Sequence, residues 1–403
     1  MSVQPRFLDR TTPPHIATLI LMAGISTLAM NIFLPSLPGM AVYFEADYRL
    51  LQLSVALYLA VNAVFQILIG PISDKLGRRP VILAGTAVFV LASAGCALST
   101  SEWVFLTFRM VQATIVVAMV LSRAIVRDMV PQDQAASMIG YVTMGMAVVP
   151  MIGPAFGGLL DEQFGWQSNF WLLAILGAML FALVWKDLGE TATKSTLTLG
   201  AQFREYPQLF RSPRFWGYSM ASALSSGSFF AYLGGAPYVG DHVFGLAPAE
   251  VGLYFGAPAI GYFAGNFLSG RFSVRVGVNP MVLWGTILNA TGISMNLALF
   301  YMGYGSALSF FGLMIFMGLG NGMVIPNATA GALSVRPHLA GTASGLSGAL
   351  MIGGGAALSA LAGLMLTEGS GAFPLLWIML ITAILAVGTI LFVMQREARL
   401  ARA

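Results

Sequence analysis

The stretch Gly70–Pro80, which reads G-P-I-S-D-K-L-G-R-R-P, places one carboxylate and three cations between two long apolar segments. Charged residues make up only 9% of the 403 residues, so such a cluster requires a specific role. The pattern predicts a tight turn between two membrane helices, in which Gly77 adopts a positive φ and Pro80 starts the next helix. The cations are expected at the level of the lipid headgroups. Asp74 is expected to pair with a neighbouring arginine or with the positive N-terminal dipole of another helix.

The composition predicts a membrane protein with many spans. Hydrophobic residues make up 57% of the chain and the mean hydropathy is +0.81, whereas a water-soluble surface needs far more charge. The net charge is +4, but the basic residues are scattered between apolar segments and build no continuous patch for nucleic acid. We therefore expect a lipid bilayer as a partner and no nucleic acid.

The sequence carries no pattern of a catalytic or cofactor site. Cys96 is the only cysteine and lies in an apolar segment, which argues against a disulfide framework, a thiolate metal site and redox chemistry. His15, His242 and His338 lie far apart along the chain, and no nucleophile or metal set is clustered. The sequence predicts a protein that is not an enzyme and needs no cofactor.

Twelve apolar segments are long enough to cross a bilayer of about 30 Å. The first is too long for a signal peptide and is expected to stay attached as the first span. The longest polar connection divides the segments six and six, which predicts an all-α membrane protein with an N-terminal six-helix half (1–187), a cytoplasmic linker (188–214) and a C-terminal six-helix half (215–403). The predicted spans are roughly 16–40, 51–73, 81–99, 103–127, 136–160, 166–187, 215–240, 249–272, 280–300, 306–333, 341–365 and 372–395.

The distribution of cations predicts the orientation. With the N-terminus in the cytoplasm, all but three of the 20 Lys and Arg residues lie on cytoplasmic segments or helix ends, as the positive-inside rule requires. The exceptions are Arg49, which lies outside, and Arg109 and Arg123, which lie within the fourth span. We expect both termini in the cytoplasm.

The stretch Gly270–Gly277 repeats the glycine spacing of Gly70 to Gly77 at the end of the eighth span. Such a repeat is typical of transporters built from two related halves. Val274 stands where the first copy has Asp74, so the two halves are predicted to be related but not equivalent.

The arginines of the fourth span are predicted to lie near one helix face. Arg123 and Arg127 are four residues apart, and Arg109 lies close to four full turns earlier at about 3.6 residues per turn. Arg127 is interpreted as a boundary arginine whose charge reaches the cytoplasmic headgroups. Arg109 lies well inside the span, where a cation is costly and faces a partner or an aqueous cavity. For Arg123 both alternatives stay open.

The fifth span carries many residues that disfavour or interrupt a helix, and close packing of helices through small residues is one interpretation of them. They are Gly145, Pro150, Gly153, Pro154, Gly157 and Gly158.

Two motifs resemble those of the major facilitator superfamily. Its pattern G-x-x-x-D-x-x-G-R-R/K, from the loop between helices two and three, is matched by Gly70, Asp74, Gly77, Arg78 and Arg79. The pattern P-x-x-G-P-x-x-G-G is similar to the fifth-helix signature of its antiporters and is matched by Pro150, Gly153, Pro154, Gly157 and Gly158. In those antiporters the motif packs the helix against its counterpart in the other half and seals the outer side, which implies export by exchange.

Further segments narrow the resemblance to the Bcr/CflA-type branch, the bicyclomycin and chloramphenicol exporters that exchange drug for protons. The resemblance covers almost the whole chain and implies two pseudo-symmetric six-helix halves, alternating access and a place in the bacterial inner membrane. One chain would hold a whole transport path, so a functional monomer is expected. The segments are Met30–Pro38, Arg123–Asp128, Gly165-Trp166, Phe170-Trp171 and Gly235–Tyr238.

The resemblance also implies two sets of site residues. In one, a charge relay of Asp74, Arg78 and Asp128 receives the N-terminus of the eleventh helix near Gly341 and holds the cytoplasmic side closed. The other lines the substrate cavity from the first, fourth, seventh and tenth helices, with the second adjacent; helix packing is an equally good interpretation for any single member. These cavity residues are Asn31, Tyr58, Asn62, Arg109, Arg123, Phe229, Tyr232, Asn321 and Asn327.

One departure from the Bcr/CflA pattern affects the expected chemistry. The branch usually carries Asp in the first helix where this chain has Asn31, and an amide cannot titrate. Proton coupling then falls to Asp128, to an acid at the membrane boundary or to the substrate's own proton. A cavity with cations and no buried carboxylate favours neutral or anionic amphiphiles over permanent cations. A facilitator or importer of a small polar metabolite, with weak or no proton coupling, stays as the alternative.

Overall fold

The computed structural model describes residues 6–129, 142, 149, 152–191, 211–335, 340–367 and 369–402. Throughout these ranges the regular secondary structure is helical. The chain divides into two compact units, Met1–Leu197 and Thr198–Ala403. This division falls inside the predicted linker, while the predicted domain boundaries themselves stay a prediction.

In the N-terminal unit, two spans are interrupted by a short 3₁₀ turn. The turn Leu34–Ser36 joins α1 to α2, and the turn Ala113–Ile115 joins α5 to α6. The described helices of this unit are α1 (Ile16–Asn31), α2 (Leu37–Tyr43), α3 (Tyr48–Leu76), α4 (Arg78–Ala97), α5 (Glu102–Gln112), α6 (Val116–Met129), α7 (152–164) and α8 (Gln167–Asp187).

In the C-terminal unit, α9 is the central helix and packs against α14, α15 and α16. It ends in a π-helical turn, Val239–Val243. The described helices of this unit are α9 (Pro213–Tyr238), α10 (Pro248–Tyr254), α11 (Gly256–Val276), α12 (Val278–Tyr301), α13 (Ala307–Gly312), α14 (Met314–Ser334), α15 (Ala340–Met365) and α16 (Phe373–Arg402).

Nine helical segments within the described residues are long and apolar enough to cross a membrane, and each coincides with a predicted span. The predicted fifth span, 136–160, lies largely outside the described residues. The segments are Ile16–Tyr43, Tyr48–Gly70, Arg78–Ala97, Glu102–Val126, Gln167–Asp187, Val278–Tyr301, Ala307–Ser334, Gly345–Met365 and Phe373–Arg399.

The predicted seventh and eighth spans are helices too, α9 and α11, but they are less apolar than the other spans. Most of α9 is buried, including a series of serines between Ser219 and Ser228. A helix that is shielded from lipid on most sides needs few large apolar side chains. In α11, glycine allows a very close approach: a Cβ on Gly261 would overlap the Ile315 carbonyl of α14.

The first and fifth spans of the N-terminal unit pack side by side in a constant register, which we call the TM1–TM5 ladder. A Cβ on Gly24 would lie 3.6 Å from Val149, and one on Gly153 would lie 3.0 Å from Leu28. One turn further, a Cβ on Gly157 would overlap the carbonyl oxygen of Ile32. Because the contacts advance four residues at a time on both helices, the two run parallel with facing ridges. Glycine at position 157 is required for this close approach.

The two copies of the glycine repeat form the same turn. Gly77 has φ +101° and ψ 150°, and Gly277 has φ +95° and ψ 158°. In both copies the glycine N–H donates to the carbonyl of the serine four residues earlier, at 2.9 Å. The predicted positive φ at Gly77 is confirmed, and the repeat extends to backbone geometry.

Candidate functional site

Arg109 is a fully enclosed charge within the fourth span of the N-terminal unit. It lies in the last turn of α5 and is 0% exposed. The guanidinium carbon lies 4.3 Å from the ring centroid of Phe33 and 4.0 Å from that of Tyr58. Contact with two aromatic rings offsets part of the cost of burying a cation in an apolar environment.

The hydrogen bonds of Arg109 use only part of its donor capacity. Nη1 donates to the Ala29 carbonyl at 3.0 Å and also contacts the Gln112 side-chain oxygen. Gln112 in turn donates to Ser93 Oγ at 2.8 Å. Within the described residues, Nε and Nη2 of Arg109 have no hydrogen-bond partner and no carboxylate forms a salt bridge with the guanidinium.

Asn31 belongs to the same region of the N-terminal unit. It closes α1 between Ala29 and Phe33, both of which contact Arg109. Its side chain is fully buried, and neither Oδ1 nor Nδ2 has a partner among the described residues. The hydroxyl of Tyr58 is likewise buried without a partner. Buried polar atoms are normally hydrogen-bonded, so this region offers unused capacity for a polar ligand or for water.

Other predicted cavity residues are tied into their own unit. Asn62 is buried and accepts a hydrogen bond from Gln66 Nε2 at 3.0 Å. In the C-terminal unit, Asn321 accepts from Ser225 Oγ at 2.6 Å and Asn327 donates to Ser269 Oγ at 2.8 Å. For these residues the packing interpretation accounts for the side chain.

Tyr232 is part of an aromatic cluster. Its ring centroid lies 5.0 Å from that of Phe255 and 6.3 Å from that of Phe311. Tyr232 itself is 0% exposed, so this cluster, and not an open wall, surrounds it. Phe229 is half-buried and contacts Phe230 with a centroid distance of 5.8 Å.

The arginines of the fourth span differ in exposure, and their placement near one helix face stays a prediction. Arg109 is buried, whereas Arg123 is exposed. The 3₁₀ turn Ala113–Ile115 lies between them, and because it has only three residues it changes the angle between them by only a fraction of a turn. The side chain of Arg127 lies outside the described residues.

The predicted relay residues Arg78 and Asp128 form an ion pair. Arg78 Nε lies 3.1 Å from Asp128 Oδ2, and their side chains are 10% and 24% exposed. Arg78 Nη1 also contacts Ser73 Oγ in the last turn of α3. The side chain of Asp74 lies outside the described residues, so its part in the relay stays a prediction, as does the contact with the start of the eleventh helix near Gly341.

Glu190 is a member of this cluster that the sequence analysis missed. Its two carboxylate oxygens accept from the backbone N–H groups of Arg78, at 2.8 Å, and Arg79, at 3.3 Å. The carboxylate thus sits on the positive end of α4, where anions are stabilising. Arg79 reaches the same segment, because its side chain donates to the carbonyls of Leu188 and Trp185.

A second buried carboxylate, Asp187, holds the N-terminal segment. It is 0% exposed and accepts from the backbone N–H of Leu8 at 2.6 Å, that of His15 at 3.0 Å and the Thr18 hydroxyl at 2.7 Å. The residues before α1 are thereby fixed to the end of α8.

The C-terminal unit has a different cluster at the end of its last helix. Glu397 of α16 lies 2.5 Å from Arg214 Nη2 and accepts from Tyr218 at 3.1 Å and from Asn279 Nδ2 at 2.5 Å. These partners come from α9 and α12. Nothing in the sequence pattern marked this cluster, because its members are far apart in the chain.

The antiporter motif is described in part. Gly153 and Gly157 form rungs of the TM1–TM5 ladder, which is a packing role inside the N-terminal unit. Pro154 and Gly158 are buried in the same helix. Pro150 lies outside the described residues.

Comparison with known proteins agrees with these motifs. The family model of the Major Facilitator Superfamily matches residues 19–246. A chloramphenicol resistance protein of Pseudomonas aeruginosa is 31% identical over 339 residues, which are 81% of this chain and 78% of that protein. A bicyclomycin resistance protein homolog of Haemophilus influenzae is 27% identical over 399 residues, which are 97% of this chain and 98% of that protein.

The fold has a counterpart among solved structures. The crystal structure of a D-xylose-proton symporter matches with a TM-score of 0.75 at 16% identity and covers 94% of this chain and 96% of that one. At this identity the likeness concerns the fold alone. The chain therefore belongs to the major facilitator superfamily, in its Bcr/CflA-type branch, and is a multi-pass membrane transporter and not an enzyme.

Proposed function

We propose that this transporter exports small amphiphilic drugs or metabolites, preferably neutral or anionic ones, in exchange for protons by alternating access. The observation that carries the substrate preference is Arg109: a fully buried guanidinium with two unpartnered nitrogens and no carboxylate partner among the described residues. Such a site attracts a neutral acceptor or an anion and repels a permanent cation.

Export as the direction of transport is supported by the relatives and by the fifth-span motif. The related proteins are named for resistance to chloramphenicol and to bicyclomycin, and resistance requires removal of the drug. In the proposed cycle, Asp74, Arg78 and Asp128 hold the cytoplasmic side closed while the substrate leaves on the outer side. The protein acts as a monomer in the bacterial inner membrane, with both termini in the cytoplasm.

The test is drug susceptibility of cells that express the protein. The panel contains chloramphenicol and bicyclomycin, with anionic and permanently cationic compounds of similar size, each measured with and without a proton uncoupler. We expect protection against neutral and anionic compounds that the uncoupler removes. Protection against cations alone would contradict the charge argument.

The substitution Asn31→Asp tests the role of the missing carboxylate. The new acid restores a titratable group in the first span, so we expect stronger pH dependence of export and improved handling of cations. Asn62→Asp is the matched control, since it places an acid in a neighbouring span. Unchanged transport in Asn31→Asp would show that the amide is not what limits proton coupling.

A facilitator or importer of a small polar metabolite is the second candidate, and the absence of a titratable group at Asn31 favours it. Proteoliposomes separate the two. Accumulation against a gradient when a pH difference is imposed supports exchange, whereas equilibration that ignores the pH difference supports a facilitator.

A further inference from the structure

Asp161 occupies the next rung of the TM1–TM5 ladder. The rungs Leu28 with Gly153 and Ile32 with Gly157 are followed, four residues on, by Ser36 and Asp161, and the Ser36 side chain is hydrogen-bonded to the Asp161 carboxyl group. Asp161 lies one residue beyond the predicted fifth span and is half-buried. A polar contact thus ends a ladder that is otherwise built from glycine and apolar side chains.

Ser36 lies at the interruption of the first span. The α-helical part ends at Asn31, and Ser36 closes the 3₁₀ turn before α2 begins. Asn169 of α8 donates to Ser36 Oγ at 3.2 Å and to the Gly157 carbonyl at 3.1 Å. Since Ser36 accepts from Asn169, its own hydroxyl proton is available for Asp161, and a directed chain runs from Asn169 through Ser36 to the carboxylate.

The environment of Asp161 favours the protonated form. Burial raises its pKa above the usual range, the hydrogen bond from Ser36 opposes this, and the neighbouring Glu162 carboxylate raises the pKa further. Residues 32–44 and 163–185, the segments nearest to Asp161, contain no Lys, Arg, His, Asp or Glu, and Lys186 and Asp187 lie at the opposite end of α8. No positive charge from these segments therefore holds the carboxylate ionised.

We infer that Asp161 is a proton-binding residue of the transport cycle, which takes a proton from the outer side and loosens the interruption of the first span when it does so. This inference rests on the proposed exchange function and orientation. A proton from the outer water forms an O–H bond with the carboxylate, and the carboxyl group becomes neutral. The neutral group is a weaker acceptor for the Ser36 hydroxyl, so the contact that joins the first span, α7 and α8 near their outer ends weakens. Deprotonation restores it.

The transport experiment uses the purified full-length protein in proteoliposomes, with labelled chloramphenicol as the probe and the pH outside varied. In wild type we expect the rate to follow the outside pH, and in Asp161→Asn we expect this dependence to be lost while transport itself persists. Asp161→Glu should retain a dependence. Glu162→Gln, the matched control, should retain it too, with the midpoint of the profile at lower pH because the neighbouring negative charge is removed. An Asp161→Asn variant with the full wild-type pH dependence would overturn the inference.

Ser36→Ala tests the coupling through the midpoint of the pH profile, which a purely structural role of Ser36 would leave unchanged. It removes the hydrogen bond that lowers the pKa of Asp161, so the midpoint of the pH profile should move to higher pH. A profile that keeps its midpoint, or moves to lower pH, would overturn the coupling through Ser36.

A second measurement does not depend on any substrate. Because the pKa of Asp161 is raised in the folded state, the folded protein binds this proton more tightly than the unfolded chain, so the stability contributed by this group is greatest at low pH and is lost as pH rises through its titration. The difference in thermal midpoint between wild type and Asp161→Asn should therefore change with pH. A difference in thermal midpoint that is independent of pH would overturn the inference. If the wild-type protein transported no probe at all, the proposed function would be wrong, and the thermal measurement alone would still decide whether Asp161 binds a proton as inferred.

Discussion

The turn at Gly77 and the turn at Gly277 share a backbone but differ in how they are held. At the first, Arg78 pairs with Asp128 and Glu190 covers the start of α4. At the second, Val278 replaces the arginine, and the nearest atom to a Cβ on Gly277 is a proline carbon at 3.7 Å. The C-terminal unit places its carboxylate elsewhere, on Glu397 at the end of α16.

The comparison shows that a repeat can conserve a conformation without conserving the interaction that acts on it. The glycine conformation is needed in both halves because each helix must restart after a sharp turn. The charges are needed in one, which agrees with a relay that works once per transporter. Substitutions at both turns and in both clusters test whether the charged contacts at the Gly77 turn matter for stability and export.

The largest effect is expected for alanine at the two glycines. The φ and ψ of both turns lie in a region that other residues enter at a cost of about 1–3 kcal/mol. Gly77→Ala should cost more than Gly277→Ala, since its Cβ would overlap the Glu190 carboxylate. Thermal unfolding in detergent measures the shift in thermal midpoint of both variants. Equal shifts would show that the Glu190 side chain moves aside at no cost.

The second-largest loss of stability is expected for Asp128→Asn. It removes the negative charge that faces the Arg78 guanidinium, which is 10% exposed, at a cost of about 1–3 kcal/mol. Glu397→Gln is the matched change in the other unit, and its partner Arg214 is 35% exposed, so water screens the loss and the shift in thermal midpoint should be smaller. A larger shift for Glu397→Gln would reverse the ranking of the two clusters.

Asp74→Asn is expected to lower export roughly tenfold, or about 1.4 kcal/mol in the transport barrier, with normal insertion into the membrane. Val274→Asn, at the matching position of the repeat, should leave export unchanged. Export assays normalised to the amount of protein in the membrane compare the two. Wild-type export by Asp74→Asn would show that the Gly70–Pro80 turn serves only to orient the helices in the membrane.

The smallest effect is expected for Glu190→Gln. The amide keeps only one acceptor oxygen, so water must replace one of the two hydrogen bonds at the start of α4. It also no longer interacts as a charge with the helix dipole, which is worth about 0.3–1 kcal/mol near a surface. The shift in thermal midpoint should shrink at high salt because mobile ions screen this interaction. A shift that is independent of salt would point to geometry and not to charge.

Local requirements were predictable from the sequence. The positive φ of Gly77 follows from a glycine between two apolar segments, and the burial of Arg109 follows from its depth in the fourth span. Glu190 was not predictable, because its partners lie 112 and 111 residues earlier in the chain and a glutamate in a polar connection carries no signal. The 3₁₀ turn after Gln112 was equally hidden, since its residues have no distinctive composition.

Asp187 has a consequence for the order in which the protein is made. Its carboxylate is bonded to Leu8 and Thr18, which are 179 and 169 residues earlier. During synthesis the first helix leaves the ribosome long before its anchor exists, so the start of the chain remains unanchored until the sixth span of the first half has been inserted. The last element of this half thus fastens the first, and a ribosome stalled before residue 187 would leave a chain whose leading segment remains open to protease.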